Sequence, residues 1–93
     1  MAITIGLLAC VKGKKIGHHK ARDLYQSNLF KLGVEYLDLK TDDWYILSAK
    51  YGLVHQNQLI TNYDESLNKK KLERQVWSKN VWYQLQPELK KFL

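Results

Sequence analysis

Cys10, Lys12, Lys14 and Lys15, and some way further along the chain Ser48, Lys50, Tyr51 and Gly52, are the residues whose types and spacing offer chemistry. Lysines gathered in a glycine-bearing loop neutralise anions, and backbone N–H groups at a following helix start add to such a site. Lys14 or Lys50 as a general base or Schiff-base amine requires desolvation, which lowers an ammonium pKa. Cys10 has three readings. As a nucleophile it needs a depressed pKa, which neighbouring lysines supply. As a metal ligand it has no cysteine partner, and the adjacent His18-His19 converge poorly on one ion, so no metal site is expected. As a strand-end core residue it needs nothing more. Lys15 and Lys20 read as solvated lysines, and His18-His19 as a solvated loop pair. Gly52 after Tyr51 is expected to supply a positive φ for a tight turn. Tyr63-Asp64 either approaches the same region or forms an Asx turn leading into a helix.

No established motif adds a reaction. Val11-Lys12-Gly13-Lys14-Lys15 lacks the glycine pair and Gly-Lys-Ser/Thr ending of a phosphate-binding loop. No Ser-His-Asp order, HExxH pair or zinc-ribbon spacing is present, and no cofactor is expected.

These residues need a frame. Ile3-Thr4-Ile5-Gly6-Leu7-Leu8 reads as a strand buried on both faces. The polar stretch from Lys12 to Lys20, with Gly13 and Gly17, reads as a loop. Ala21–Tyr36 follows as a helix, with Ser27 placed to cap a fresh start after a first turn and Gly33 an obstacle to one continuous helix. Thr41-Asp42-Asp43 turns into a second strand at Trp44-Tyr45-Ile46-Leu47. Strand, helix, strand in this order implies a right-handed βαβ unit with parallel strands. Leu53-Val54 and Leu59-Ile60 suggest a short extended excursion. Asn68 can cap a last helix running to about Gln86, with Leu72, Val76, Val81 and Leu85 near one face and Trp77 and Trp82 beside it. Pro87 then ends that helix or opens a final turn.

The expected fold is therefore α/β: a small two- or three-layer domain with a short, mainly parallel sheet and a C-terminal amphipathic helix. Two strands are too few for a parallel sheet. Either a third strand lies within Leu53–Ile60 or a partner chain completes the sheet, and a homo-oligomer is expected through the open edge and the Trp-rich helix. In open α/β sheets ligands bind beyond the carboxyl ends of the strands, so the loops after the two strands should meet as one basic crevice.

Composition agrees with such a domain and limits its class. At 93 residues the chain is one domain, its 45% apolar content is enough to fold, and its single cysteine fits a reducing, cytoplasmic compartment. No apolar run approaches the roughly 20 residues that span a bilayer, so no membrane partner is expected. The net charge of +6 is uneven: Val11–Arg22 carries five Lys/Arg, two His and no acid, and Asn68–Leu93 carries seven Lys/Arg against two acids. Charge of that sign attracts nucleic acid, nucleotides or other anions, and is equally compatible with a plain solvated surface.

Four stretches together carry a family resemblance: Cys10-x-x-x-Lys14, then Ala21-x-x-Leu24-Tyr25-x-Ser27-x-x-Phe30, then Ile46-Leu47-Ser48-Ala49-Lys50-Tyr51-Gly52-Leu53, then Tyr63-Asp64-x-x-Leu67. They resemble a bacterial and phage family of uncharacterised domains, distantly similar to the peroxide-stress YaaA proteins and, in outline, to the Cys/Lys-bearing domain of archaeosine synthase. The resemblance covers roughly residues 3–67, with Ile46–Leu53 its most specific part. It implies a nucleic-acid connection, DNA or RNA or a nucleotide, and marks Cys10, Lys14, Ser27, Ser48, Lys50, Tyr51, Gly52 and Tyr63 as site candidates. His55-Gln56-Asn57 departs from the Pro or Asp often found in relatives. Relatives also usually continue for several dozen residues, so the chain is expected to be a shortened version of a longer domain.

Three functions follow as expectations. The first is nucleic-acid or nucleotide binding in the crevice by Lys12, Lys14, Ser27, Ser48, Lys50, Tyr51, Gly52 and Tyr63, with Lys14, Lys50 and Cys10 as the residues able to do chemistry. The others are an assembly module built on the Trp77/Trp82 face, and a small enzyme acting on a phosphorylated nucleoside or sugar.

Overall fold

A computed structural model of the chain describes residues 3–9, 14–63 and 71–92. Strand β1 (Ile5–Ala9) pairs in parallel with β3 (Asp43–Ser48), and β3 pairs antiparallel with β4 (Gly52–His55), giving a three-stranded sheet in the order β1-β3-β4. The sheet is therefore mixed rather than mainly parallel. The third strand does fall in the Leu53–Ile60 region, beginning one residue earlier at Gly52, so the chain itself supplies it. The turn between β3 and β4 is too short for a crossover, and a short link forces antiparallel pairing.

The polar stretch read as a loop contains a strand, β2 (His18–Lys20), antiparallel to β5 (Leu59–Thr61). A three-residue polar strand has no alternation to read; hydrogen bonding to a distant segment defines it. The predicted helix is two. Helix α1 (Ala21–Leu24) stops at Tyr25, and α2 (Asn28–Lys40) starts afresh behind Ser27, whose Oγ accepts the Phe30 N–H at 3.1 Å. Helix α2 runs four residues past Tyr36 because Leu37 is buried and Thr41 caps the end. The Thr41 N–H and hydroxyl both donate to the Leu37 carbonyl. Gly33 does not break α2. A Cβ there would come within 2.8 Å of Leu8 Cδ1, so the glycine lets the helix lie close on β1.

Helix α3 (Lys71–Lys90) contains Pro87 inside it rather than at its end, leaving the carbonyl one turn earlier without its helical donor. The predicted Asn68 cap lies outside the described residues. The half-buried side of α3 follows Trp77, Val81, Leu85 and Glu88, while Val76 and Trp82 are more than half exposed. Helix α3 runs beside β4, and Gln84 satisfies the outer edge there: its Oε1 accepts the Leu53 N–H and its Nε2 donates to the Tyr51 carbonyl.

The core gathers Leu24, Tyr25, Phe30, Trp44, Ile46 and Val54, between the sheet and the α1, α2 and β5 side. At one end of the sheet a polar network ties these elements together. Asp43 accepts from His55 Nε2, Gln56 Nε2 and the Trp44 N–H. Arg22 joins Gln56 to Asp38, and Asp38 also accepts from the Trp44 indole at 2.9 Å. His55 Nδ1 accepts the Asn57 N–H, so the ring proton sits on Nε2, facing the carboxylate. Burial of Asp43 opposes its ionisation, but the bonds from Gln56, His55 and Trp44 outweigh it and hold the pKa below the ordinary carboxylate value.

Candidate functional site

Strand β3 ends at Ser48, and the chain turns back through Ala49, Lys50 and Tyr51 into β4. Two features build this turn. The Ser48 Oγ accepts N–H bonds from Lys50 and Tyr51, at 3.3 and 3.0 Å. Gly52 then takes φ +74, the left-handed conformation expected of it, with Gln84 seated where a Cβ would point. The turn is pinned from outside as well, since Trp77 Nε1 donates to the Ser48 carbonyl at 2.8 Å.

Below the turn lies a line of hydroxyls. Ser48 Oγ donates to the Tyr63 hydroxyl at 2.9 Å, and that oxygen lies 2.8 Å from the Tyr25 hydroxyl. Ser48, Tyr25 and Tyr63 are all buried, and buried hydroxyls persist only where they are paired. Tyr25 reaches this position because α1 ends there; it bridges Lys14 in a short antiparallel contact, and the Lys15 N–H donates to the Leu24 carbonyl. Tyr63 lies two residues past the end of β5.

The lysines complete the site. Lys14 Nζ lies 4.3 Å from the Tyr63 ring centroid and 6.0 Å from that of Tyr25. Lys50 Nζ lies 5.4 Å from the Tyr51 ring centroid. Tyr51 and Tyr63 meet edge-to-face at 5.6 Å, so two ammonium groups flank two touching rings. Beside them a groove of about 340 Å³ runs between the turn and α3, lined by Lys50, Tyr51, Trp77, Asn80, Tyr83 and Gln84. A larger depression of about 460 Å³ is lined, among the described residues, by Arg74, Gln75, Ser78 and Lys79, none of them a sequence-predicted site residue.

The structure thus brings together Lys14, Ser48, Lys50, Tyr51, Gly52 and Tyr63. Ser27 stands apart from this line in role, as the cap of α2. Cys10, Lys12 and Asp64 lie outside the described residues. Sequence reasoning did not assign three residues that shape the site to it: Tyr25, Trp77 and Gln84. Tyr25 stood within the family pattern but inside the span expected to be helix, Ala21–Tyr36, whereas α1 stops at it. Trp77 was assigned with Trp82 to an assembly face, whereas its indole binds the Ser48 carbonyl, and Gln84 carried no signal, because it matters only where α3 meets the turn.

The Ser48 hydroxyl is committed to holding the turn and the tyrosine line. Ser48 is fully buried, its oxygen accepts two backbone N–H groups, and its proton is committed to Tyr63. Among the described residues no imidazole or carboxylate hydrogen-bonds to it, as activation of a nucleophile requires. No group of three His, Cys, Asp or Glu among the described residues is placed to hold a metal ion. No helix among them is long and apolar enough to cross a membrane.

A family model described as a family of unknown function, DUF6884, matches residues 5–92, and the chain belongs to that family. No curated protein and no solved structure matches it.

Proposed function

For this member of the DUF6884 family, we propose binding of a nucleic acid or nucleotide at the crevice flanked by Lys14 and Lys50. The observation that carries the reading is the pair of ammonium groups, each set against a tyrosine ring of one continuous aromatic cluster. Cations positioned beside aromatic rings suit a ligand that offers both phosphate charge and a stacking face. The net charge of +6 would draw such a ligand in, and along the groove Tyr83 adds an aromatic ring and Asn80 a neutral hydrogen-bonding group. The resemblance of Ile46–Leu53 to YaaA proteins points the same way.

The test is a salt-titrated binding measurement on single-stranded and duplex oligonucleotides and on free nucleotides. Binding should weaken steeply as salt rises, and Lys14→Ala with Lys50→Ala should lower both affinity and salt dependence. Binding that ignores salt, or that survives both substitutions unchanged, would remove the crevice from consideration.

A further inference from the structure

Helix α2 has more large apolar side chains outside than inside. Phe30 and Leu37 are its buried residues, whereas Leu29, Leu32, Tyr36 and Leu39 are 71%, 62%, 62% and 82% exposed. An amphipathic helix on a globular domain should turn a polar face to water. Here the four exposed residues follow spacings of three, four and three, which places them in one stripe. That is the a-d-a-d order of a coiled-coil seam over two heptads.

From this stripe we infer that the chain self-associates through α2, in parallel, with Leu29, Leu32, Tyr36 and Leu39 stacking against the same residues of a second copy. The occupant follows from the flanking charges. With Leu29 and Tyr36 at a, Glu35 falls at g and Lys40 at the following e. In a parallel pair a g residue faces the partner's next e residue, so Glu35 meets Lys40 of the partner subunit, and the two-fold repeats the pair. An antiparallel pairing centred on α2 sets Glu35 beside its own copy instead. Neither Glu35 nor Lys40 has an ion-pair partner among the described residues. The exposed edge of β1 and the α3 face play no part in this contact, and the inference is independent of the crevice.

Two heptads bury less than the roughly 1,200–2,000 Å² of a stable specific interface, so the dimer should be weak and concentration-dependent. Sedimentation velocity on the full chain should show a monomer at low micromolar concentration and growing dimer up to about 1 mM. Leu32→Lys with Leu39→Lys should abolish the dimer while the circular dichroism spectrum stays unchanged, since both side chains already face water. Glu35→Lys or Lys40→Glu alone should weaken it roughly fivefold, and the two together should restore it. In a Cys10→Ser background, Leu39→Cys should form an interchain disulfide on oxidation. A wild-type monomer throughout, a dimer indifferent to the leucine substitutions, or crosslinking that requires Leu29→Cys paired with Leu39→Cys would each overturn the inference.

Discussion

The Tyr63 hydroxyl joins Ser48 at the end of β3 to Tyr25 at the end of α1, so one oxygen couples three segments distant in sequence. Tyr63→Phe removes that oxygen and takes one hydrogen bond from each of two buried hydroxyls. Urea denaturation should show a loss of about 1–3 kcal/mol. Gly52→Ala forces a Cβ into a left-handed conformation and against Gln84, and should cost a similar ~1–3 kcal/mol by the same measurement. At the other end of the sheet Asp43 sets an acid limit. Its folded pKa lies below its unfolded value, so the stabilisation is complete well above pH ~4 and is lost as pH falls from there through the folded pKa. Asp43→Asn should lower the Tm at neutral pH and flatten the fall in Tm with acid, followed by circular dichroism from pH 7 to 2. An acid profile parallel to that of the wild type would show that Asp43 does not set the limit.

At the scale of elements, sequence was most informative where local pattern and packing coincide. Strands β1 and β3, the Ser27 cap and the Gly52 turn were all legible, because apolar runs, a hydroxyl before a helix and a glycine after an aromatic residue each have a local cause. Strand β2 was not, since His18-His19-Lys20 becomes a strand only by pairing with Leu59–Thr61. The rotation of α3 was missed for a similar reason. Counting apolar residues placed Val76 on the inner face, whereas hydrogen bonds from Trp77 and Gln84 to the β3–β4 turn turn the helix so that Val76 faces outward. The Arg22–Gln56–Asp43 network was invisible because its members come from three separate elements and carry no spacing signal. Gln84→Ala tests the α3 contact directly. It frees the Leu53 N–H to exchange and leaves the Tyr51 carbonyl to water, so amide hydrogen exchange at Leu53 should speed up before the core amides of β3 respond.

The whole molecule combines a marginally sized core with a charge of +6 and two surfaces of contrasting chemistry. One is the lysine-tyrosine crevice beside α3, and the other is the apolar stripe on α2. Of the site candidates drawn from sequence, six converge at the crevice although Lys14 and Tyr63 are separated by most of the fold. The approach of the two loops was legible from one rule about strand ends, even though the strand after β3 returns antiparallel and the second loop is a tight turn, whereas Tyr63 was marked only by the family resemblance. What no sequence rule supplied was the tyrosine cluster that holds the lysines, because ring contacts depend on where α1 stops and β5 ends. Binding of nucleic acid at this crevice, as proposed, is tested most directly by fluorescence anisotropy of a labelled single-stranded oligonucleotide, with wild type and the Lys14→Ala/Lys50→Ala double variant titrated across about 50–300 mM salt. The wild type should bind at low salt, and the double variant should bind more weakly with a log K versus log salt slope shallower by about 1.4, two phosphate contacts fewer. No binding at low salt, or identical affinity and slope for the two proteins, would contradict it.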